Sequence, residues 1–277
     1  ARIQHFINSG LVLVNYKTAK AKTPLKNGDN VQIWMPPPEP LIYLKPEKMD
    51  LNILFEDEHI IVINKQSGLI VHPAPGHKSG TLVNGLLFHC NDLPGINGKL
   101  RPGIVHRLDK DTSGCMVVAK SQEALVNLQK QIKEKIASRE YIAVIHGAPN
   151  SEEGQIVGHI GRDKFNRLKY KVVEEASGRY ACTYWKLKER LGNYSLMNFK
   201  LDTGRTHQIR VHCAHINHPI VGDPLYGRCK KLPCKLEGQA LHAFKLGLIH
   251  PINGKEMIFE AELPLDFQKL LNVLKAK

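Results

Sequence analysis

Two segments concentrate side chains able to do chemistry. One is His106-Arg107-Leu108-Asp109-Lys110-Asp111-Thr112-Ser113-Gly114. The other runs from Thr203 through Gly204-Arg205-Thr206-His207-Gln208-Ile209-Arg210-Val211 to His212-Cys213-Ala214-His215, with His218 close behind. From Asp109 the first segment opens like a calcium loop, with oxygen ligands at positions one, three and five and glycine at six. Such a loop closes on a bidentate acid at position twelve, which here is Lys120, a cation. Calcium is therefore set aside. A tight polar turn accounts for Thr112, Ser113 and Gly114 whatever Asp109 does. In the second segment four histidines, His207, His212, His215 and His218, invite a metal. Their spacing is not that of two helical ligands flanking a base, and no acid lies among them. A basic helix touching phosphate is the plainer reading. The sequence also lacks a Walker loop, a dinucleotide fingerprint and a nucleophile elbow, so those chemistries have no anchor.

Periodicity indicates what positions these residues. Ile60 to Ile63 and Met116 to Ala119 read as buried strands. Ser121 is predicted to cap a helix with Leu125, Leu128, Ile132 and Ile136 on one face. Arg139 to His146 reads as a strand. Met197, Phe199 and Leu201 alternate with Asn198 and Lys200, a half-buried strand. Thr206 is predicted to cap a helix bearing Ile209, Cys213 and Ile216. Strands outnumber helices and do not alternate with them regularly. The expected class is α+β, with a mixed, largely antiparallel sheet and flanking helices.

The Pro-Pro-Pro-Glu-Pro run at 36–40 donates few backbone hydrogen bonds and favours extended chain, so 36–50 is expected to be a linker. Before it, residues 1–35 form a small basic unit. It holds a helix remnant around Ile3 to Ser9 and strand-like pieces at 10–15 and 25–33. So short a unit buries little core alone, and a truncated domain or one leaning on its neighbour is expected. Ala1 is not a methionine, which suggests trimming at this end. The main domain is expected at 51–277.

Lysine and arginine total 39 against 26 acids, a formal charge of +13. A polyanionic partner is the natural explanation, because basic side chains release counterions condensed on a phosphate backbone. No apolar stretch approaches the roughly 20 residues of a membrane helix, and the start lacks a signal-peptide core. A soluble, cytoplasmic or organellar, monomeric protein is the expectation. The six cysteines (Cys90, Cys115, Cys182, Cys213, Cys229 and Cys234) are scattered, as in a reducing compartment.

Taken together, the motifs resemble the RluA family of RNA pseudouridine synthases. His106-Arg107-Leu108-Asp109 with Thr112-Ser113-Gly114 is similar to its catalytic loop. Ser138-Arg139-Glu140-Tyr141-Ile142-Ala143-Val144 is similar to the strand that supplies a tyrosine. Gly204-Arg205-Thr206-His207-Gln208-Ile209-Arg210-Val211-His212 is similar to the motif that supplies a basic partner. Gly222-Asp223-Pro224-Leu225-Tyr226-Gly227 and Leu241-His242-Ala243 are further matches. The likeness spans about 51–270, and the first 35 residues resemble the small alpha-L RNA-binding domain, with its opening helix missing.

The resemblance implies the pseudouridine synthase fold and isomerisation of a flipped uridine, with no cofactor or metal. Asp109 would be the catalytic carboxylate, either attacking as a nucleophile or taking a proton from the sugar. Tyr141 would face the uracil, and Arg210 would pair with Asp109 through two parallel hydrogen bonds. Arg107, Arg205, His106 and Gln208 would contact RNA. Ribosomal RNA of the large subunit is the expected substrate, with transfer RNA second. A non-catalytic RNA-binding or ribosome-assembly protein of the same fold is the main alternative. A nucleoside or glycoside hydrolase is another, but such enzymes usually pair two acids across a bond.

Overall fold

The structure, a computed structural model, describes residues 2–34, 44–73, 77–90, 93–94, 102–227, 232 and 234–276. The expected proline-rich extended segment at 36–40 and Cys229 lie outside the described residues. The chain divides into two compact units, Ala1–Tyr43 and Leu44–Lys277.

The first unit has a helix, α1 (Arg2–Asn8), and three short antiparallel strands: β1 (Val12–Val14), β2 (Lys17–Thr18) and β3 (Val31–Ile33). Strand β1 lies between the other two. Asn15 and Tyr16 both take left-handed conformations, which is what a two-residue hairpin turn requires. Helix α1 covers the helix remnant expected around Ile3 to Ser9. The strand-like run at 25–33 shrinks to three residues. Asp29 instead accepts from the Lys26 amide and the Asn15 side chain, holding that stretch as a turn.

The second unit begins before residue 51. The Glu47 amide donates to the Asn84 carbonyl, Asn84 Nδ2 donates to the Lys45 carbonyl, and the Gly80 amide donates to the Glu47 carboxylate. Residues 45–47 are therefore stitched to helix α2 (Leu82–His89), which shortens the linker expected at 36–50.

Ten strands of this unit form one sheet. In chain order they are β4 (Ile53–Glu56), β5 (Ile60–Lys65), β6 (Ser113–Ala119), β7 (Ser138–His146), β8 (Glu153–Arg162), β9 (Tyr170–Val173), β10 (Arg179–Leu191), β11 (Tyr194–Leu201), β12 (Leu241–Ile249) and β13 (Glu256–Glu260). Their spatial order is β4-β5-β6-β12-β7-β11-β10-β8-β9, with β13 pairing β12. Among these strands only β6 and β12 pair in parallel. The mixed, largely antiparallel α+β architecture read from the sequence is what folds. Ile60 and Val62 enter one apolar cluster with helix α3 (Gln122–Lys133). Ile61 and Ile63 enter a second, with α2 and two further helices, α4 (Gln208–His215) and α5 (Leu265–Lys275). Burial on both faces explains why the strand reads as an unbroken apolar run.

Two helices differ from the sequence reading. Helix α3 stops at Lys133, Lys135 turns left-handed (φ 63°), and Ile136 ends up exposed because the chain must turn into β7. Helix α4 starts one residue later than a Thr206 cap would place it. His207 is the left-handed residue at its start (φ 56°), and Ile216 lies just past its end.

Candidate active site

Gly114 decides how Asp109 is presented. It has φ +116°, and a Cβ there would overlap the Ala243 carbonyl of the parallel neighbour β12. Only glycine fits so close an approach. Ser113 Oγ meets His242 Nδ1 at 2.8 Å, and Gln239 Nε2 donates to Thr112 Oγ1 at 2.9 Å. Thr112, Ser113 and Gly114 therefore lock the start of β6 to β12, and the turn closed by the Thr112 amide on the Asp109 carbonyl aims Asp109 outward. Under this turn lies Lys65, at the end of β5 and 1% exposed. Its ammonium donates to the carbonyls of Gln66, Leu69 and Lys110. Burial pushes its pKa down to about 7, against the pull of Asp111 and Asp109.

Asp109 faces a cleft of about 610 Å³. The cleft lies where its loop, β7 and the start of α4 meet. Arg210, in the first turn of α4, donates from Nη1 to Asp109 Oδ2 at 2.8 Å. Its other donors fork onto Asp223, Nε to Oδ2 at 2.7 Å and Nη2 to Oδ1 at 2.9 Å. The expected two parallel bonds thus go to Asp223, and Asp109 receives a single one. One guanidinium cannot present both forks in one direction, and Asp223 is the fully buried carboxylate. Burial works against charge on Arg210, but Asp223 and Asp109 more than offset it and keep the guanidinium protonated. Burial also opposes charge on Asp223, yet bonds from Arg210 and from the amides of Tyr226 and Leu225 hold it below the usual carboxylate range.

His207 closes the other side. Its Nε2 lies 3.9 Å from Asp109 Oδ1, and its Nδ1 is 2.9 Å from the Tyr226 hydroxyl. That hydroxyl already accepts from the Tyr170 amide. The hydroxyl proton can go to Nδ1, an arrangement that turns an Nε2–H toward Asp109. Burial lowers the His207 pKa and favours this neutral ring. The Arg210 guanidinium also stacks over the Tyr226 ring at 5.2 Å. Tyr141 on β7 is buried, and burial first of all pushes its pKa up to about 12, so it remains a phenol at neutral pH.

Asp109, Tyr141, Arg210, Arg107, Arg205 and His106 all line this one cleft. Arg107 is exposed there, and Arg205 is tethered by Nε to the Tyr180 carbonyl at 2.8 Å. Two of the expected RNA contacts, His106 and Gln208, also line the cleft but are engaged within the protein. His106 accepts the Val117 amide at Nε2, and its Nδ1 is buried without a partner. Burial, then Arg139, lowers its pKa to about 3, so it is a neutral brace for the loop. Gln208 is 3% exposed; it donates to the Cys182 carbonyl and Thr183 Oγ1, and accepts from the Arg205 amide and Thr203 Oγ1. With no hydrogen-bonding capacity left for RNA, it knits the start of α4.

The histidines do not gather into a metal site. His212 bonds Thr183 Oγ1, His218 Nδ1 bonds the His146 carbonyl, and His215 is exposed. Among the described residues no cluster of His, Cys, Asp or Glu is arranged to hold an ion. Sequence reasoning missed Asp223, Tyr226, His207 and Lys65 as parts of the site. The first two sit in the quoted Gly222 to Gly227 motif, where Asp223 is the only acid; Lys65 could have been noticed as a cation ending an apolar run.

Two solved structures share the fold. Human RNA pseudouridylate synthase domain containing 4 matches with a TM-score of 0.63 at 24% identity, covering 81% of this chain and 93% of that one. Human RNA pseudouridylate synthase domain containing 1 matches at 0.60 and 22%, covering 88% and 98%. Their likeness is one of fold. A family model for RNA pseudouridylate synthase matches residues 59–215, more than half the chain. An uncharacterized RNA pseudouridine synthase of Synechocystis is 48% identical, over 100% of this chain and 85% of that relative. Ribosomal large subunit pseudouridine synthase D of Zymomonas mobilis is 44% identical, over 99% and 88%. The chain belongs to the RNA pseudouridylate synthase family, isomerases that convert uridine in RNA to pseudouridine. No helix among the described residues is long and apolar enough to cross a membrane.

Proposed function

We propose that this enzyme isomerises particular uridines of large-subunit ribosomal RNA in the cytoplasm, as a monomer, with Asp109 as its catalytic carboxylate. The observation that carries the catalytic assignment is the Asp109–Arg210–Asp223 chain of charges at the cleft. The N1–C1′ bond of uridine breaks, the uracil turns, C5 bonds to C1′, and the C5 proton is lost as N1 gains one. Nothing is oxidised and no group is imported. Arg210 sets its cation against Asp109 in a cleft that dries when a flipped base enters, and that contact serves whether the carboxylate attacks or removes a sugar proton. Tyr141 offers a flat face and a proton-bearing hydroxyl to the uracil. Arg107 fills the space the base leaves. The ribosomal assignment is supported by relatives named as large-subunit enzymes.

The test is conversion of a large-subunit ribosomal RNA transcript by purified protein, mapped uridine by uridine beside a transfer RNA pool. Discrete new pseudouridines in the ribosomal transcript are expected. Conversion confined to transfer RNA would move the substrate assignment. Asp109→Asn should bind the RNA as the parent does and slow single-turnover conversion by about 10⁴-fold. A rate near the parent's would sink the role of Asp109.

We further propose that the first unit captures RNA. Lys17 on β2 and Lys20, Lys22 and Lys26 in the stretch after it are all exposed, as are Tyr16 and Trp34. Deleting residues 1–40 should weaken binding and flatten its salt dependence more than it slows chemistry on bound RNA. Unchanged affinity and slope would remove the unit from RNA capture.

A further inference from the structure

A second guanidinium in the cleft has no counter-charge among the described residues. Arg139, on β7, is 6% exposed, and its Nε is fully buried with no hydrogen-bond partner. Among the described residues its side chain enters no hydrogen bond or ion pair. The two acids lining the cleft are engaged elsewhere, Asp109 with Arg210 and Asp202 with Lys135 at 2.7 Å. The neighbouring acid Glu140 lies on the opposite side of the strand, where the Asn198 side chain donates to it. Burying an unpaired charge opposes folding, and an arginine cannot relieve the cost by losing its proton. Such a group is retained where a ligand completes it.

The surroundings leave room for that ligand. Gly204, in the loop after β11, faces the guanidinium, and a Cβ there would lie 2.8 Å from Arg139 Nη1. Arg139 and Tyr141 are two residues apart on β7, hence on one side of the strand and about 7 Å apart. A uracil held against Tyr141 would bring a flanking backbone phosphate to Arg139. The cleft also carries Lys133 and Arg205. A phosphodiester supplies one negative charge and two terminal oxygens, matching a guanidinium fork in charge and shape.

We propose that Arg139 is a buried receptor for one phosphate next to the flipped uridine, paired only when RNA is bound. This rests on the reading that the substrate is a uridine in RNA. It assigns Arg139 to positioning: its ion pair draws the nucleotide into register with Asp109 and stays outside the bonds that change.

The experiment uses a synthetic RNA spanning a uridine that the parent converts. Single uncharged methylphosphonate linkages replace each phosphate around that uridine in turn. Conversion of the unmodified RNA by the parent establishes the substrate reading separately, so the two cannot fail together unnoticed. In the parent, one linkage should reduce single-turnover efficiency by about 10–100-fold, the worth of a charge-assisted hydrogen bond. Arg139→Gln should lose a similar factor on unmodified RNA and then become insensitive to that one linkage, while the others keep their parental effects. Arg139→Met, measured without RNA, should melt at or above the parent's temperature, since it removes an unpaired charge. Effects that multiply at every linkage, or an Arg139→Gln enzyme as efficient as the parent, would overturn the proposal. A lower melting temperature for Arg139→Met would make Arg139 a structural residue and overturn it too.

Discussion

Two arginines lie in one cleft at nearly the same burial, Arg210 at 4% exposure and Arg139 at 6%. Arg210 is charge-paired: three of its five N–H donors meet two carboxylates, and its face rests on Tyr226. Arg139 meets none. One end of the cleft is therefore assembled before substrate arrives, and the other is left incomplete. The difference follows from what each end must do. A carboxylate that must stay charged in a drying pocket needs its cation in place beforehand, because solvent cannot supply one at the moment of reaction. A site that must capture and release a charged chain needs a cation whose partner can leave.

The comparison is broken most forcefully at Arg210. Arg210→Ala leaves Asp109 and Asp223 without their cation. Loss of one member of a buried pair typically costs about 3–5 kcal/mol. We expect lower stability by that order, severe loss of turnover, and an acid limb of the pH–rate profile displaced to higher pH, since an unpaired carboxylate in a dry site takes up protons more readily. Arg210→Lys should be intermediate, because an ammonium cannot reproduce the fork. Thermal melts and single-turnover rates against pH measure all three effects. Arg139→Met should move stability in the opposite direction. Equal losses in the two variants would mean that the ends of the cleft are built alike.

A smaller effect is expected at Asp223. Its folded pKa lies below its unfolded value, so the unfolded chain binds more protons as pH falls. The stability this supplies is present above roughly pH 4 and disappears as pH drops through the folded pKa. Asp223→Asn should flatten this dependence, lowering stability at pH 7 by about 1–3 kcal/mol and leaving the two proteins closer at pH 3. Denaturant melts over that range decide it. Parallel pH curves for parent and variant would show that Asp223 is not the group that anchors Arg210.

The sequence exposed these two ends unequally. Asp109, Tyr141 and Arg210 were legible because each sits in a motif whose residues resemble a known family. Their convergence from chain positions a hundred residues apart was legible only through that likeness. Asp223 was not, although its segment is also a match, because no role came with that motif and an acid in a glycine-rich turn looks like local turn chemistry until the fold brings it under Arg210. Gln208 misled for the reverse reason: a glutamine in a basic motif looks free to bind RNA, and only the structure reveals all its polar atoms engaged. The strands were read well because runs such as Ile60 to Ile63 carry their burial in composition. Helix ends were read poorly: Ile136 continues the apolar spacing past the left-handed Lys135, and Ile216 falls just beyond the last helical residue, before the left-handed Asn217. Asparagine after a helix was a usable stop signal, whereas lysine was not. Nothing in the sequence marks Arg139 as unpaired, because that property depends on every acid being elsewhere.

The smallest expected effect lies between the two ends, at Arg205. It is half-buried, and its Nε is tied to the Tyr180 carbonyl, so its guanidinium is steered but not charge-neutralised. It lines both the catalytic cleft and an adjoining concavity of about 540 Å³ that also holds Arg162 and Arg179. That position suits a phosphate farther along the RNA, where water screens the contact. A screened pair is worth about 1 kcal/mol or less, so Arg205→Ala should weaken RNA binding by about 3–5-fold. It should reduce the salt slope of binding by about one counterion. The single-turnover rate at saturating enzyme should stay within about 2-fold of the parent's, because neither Asp109 nor Arg210 loses a partner. Binding isotherms at several salt concentrations, paired with that rate, separate the two quantities. If Arg205→Ala displaces the acid limb and Arg210→Ala does not, the two arginines have been given each other's roles. If it lowers the maximal rate but leaves the acid limb in place, the loop from Gly204 to His207 orders the chemistry, and the division between a preassembled end and a waiting end runs through that loop instead of between Arg210 and Arg139.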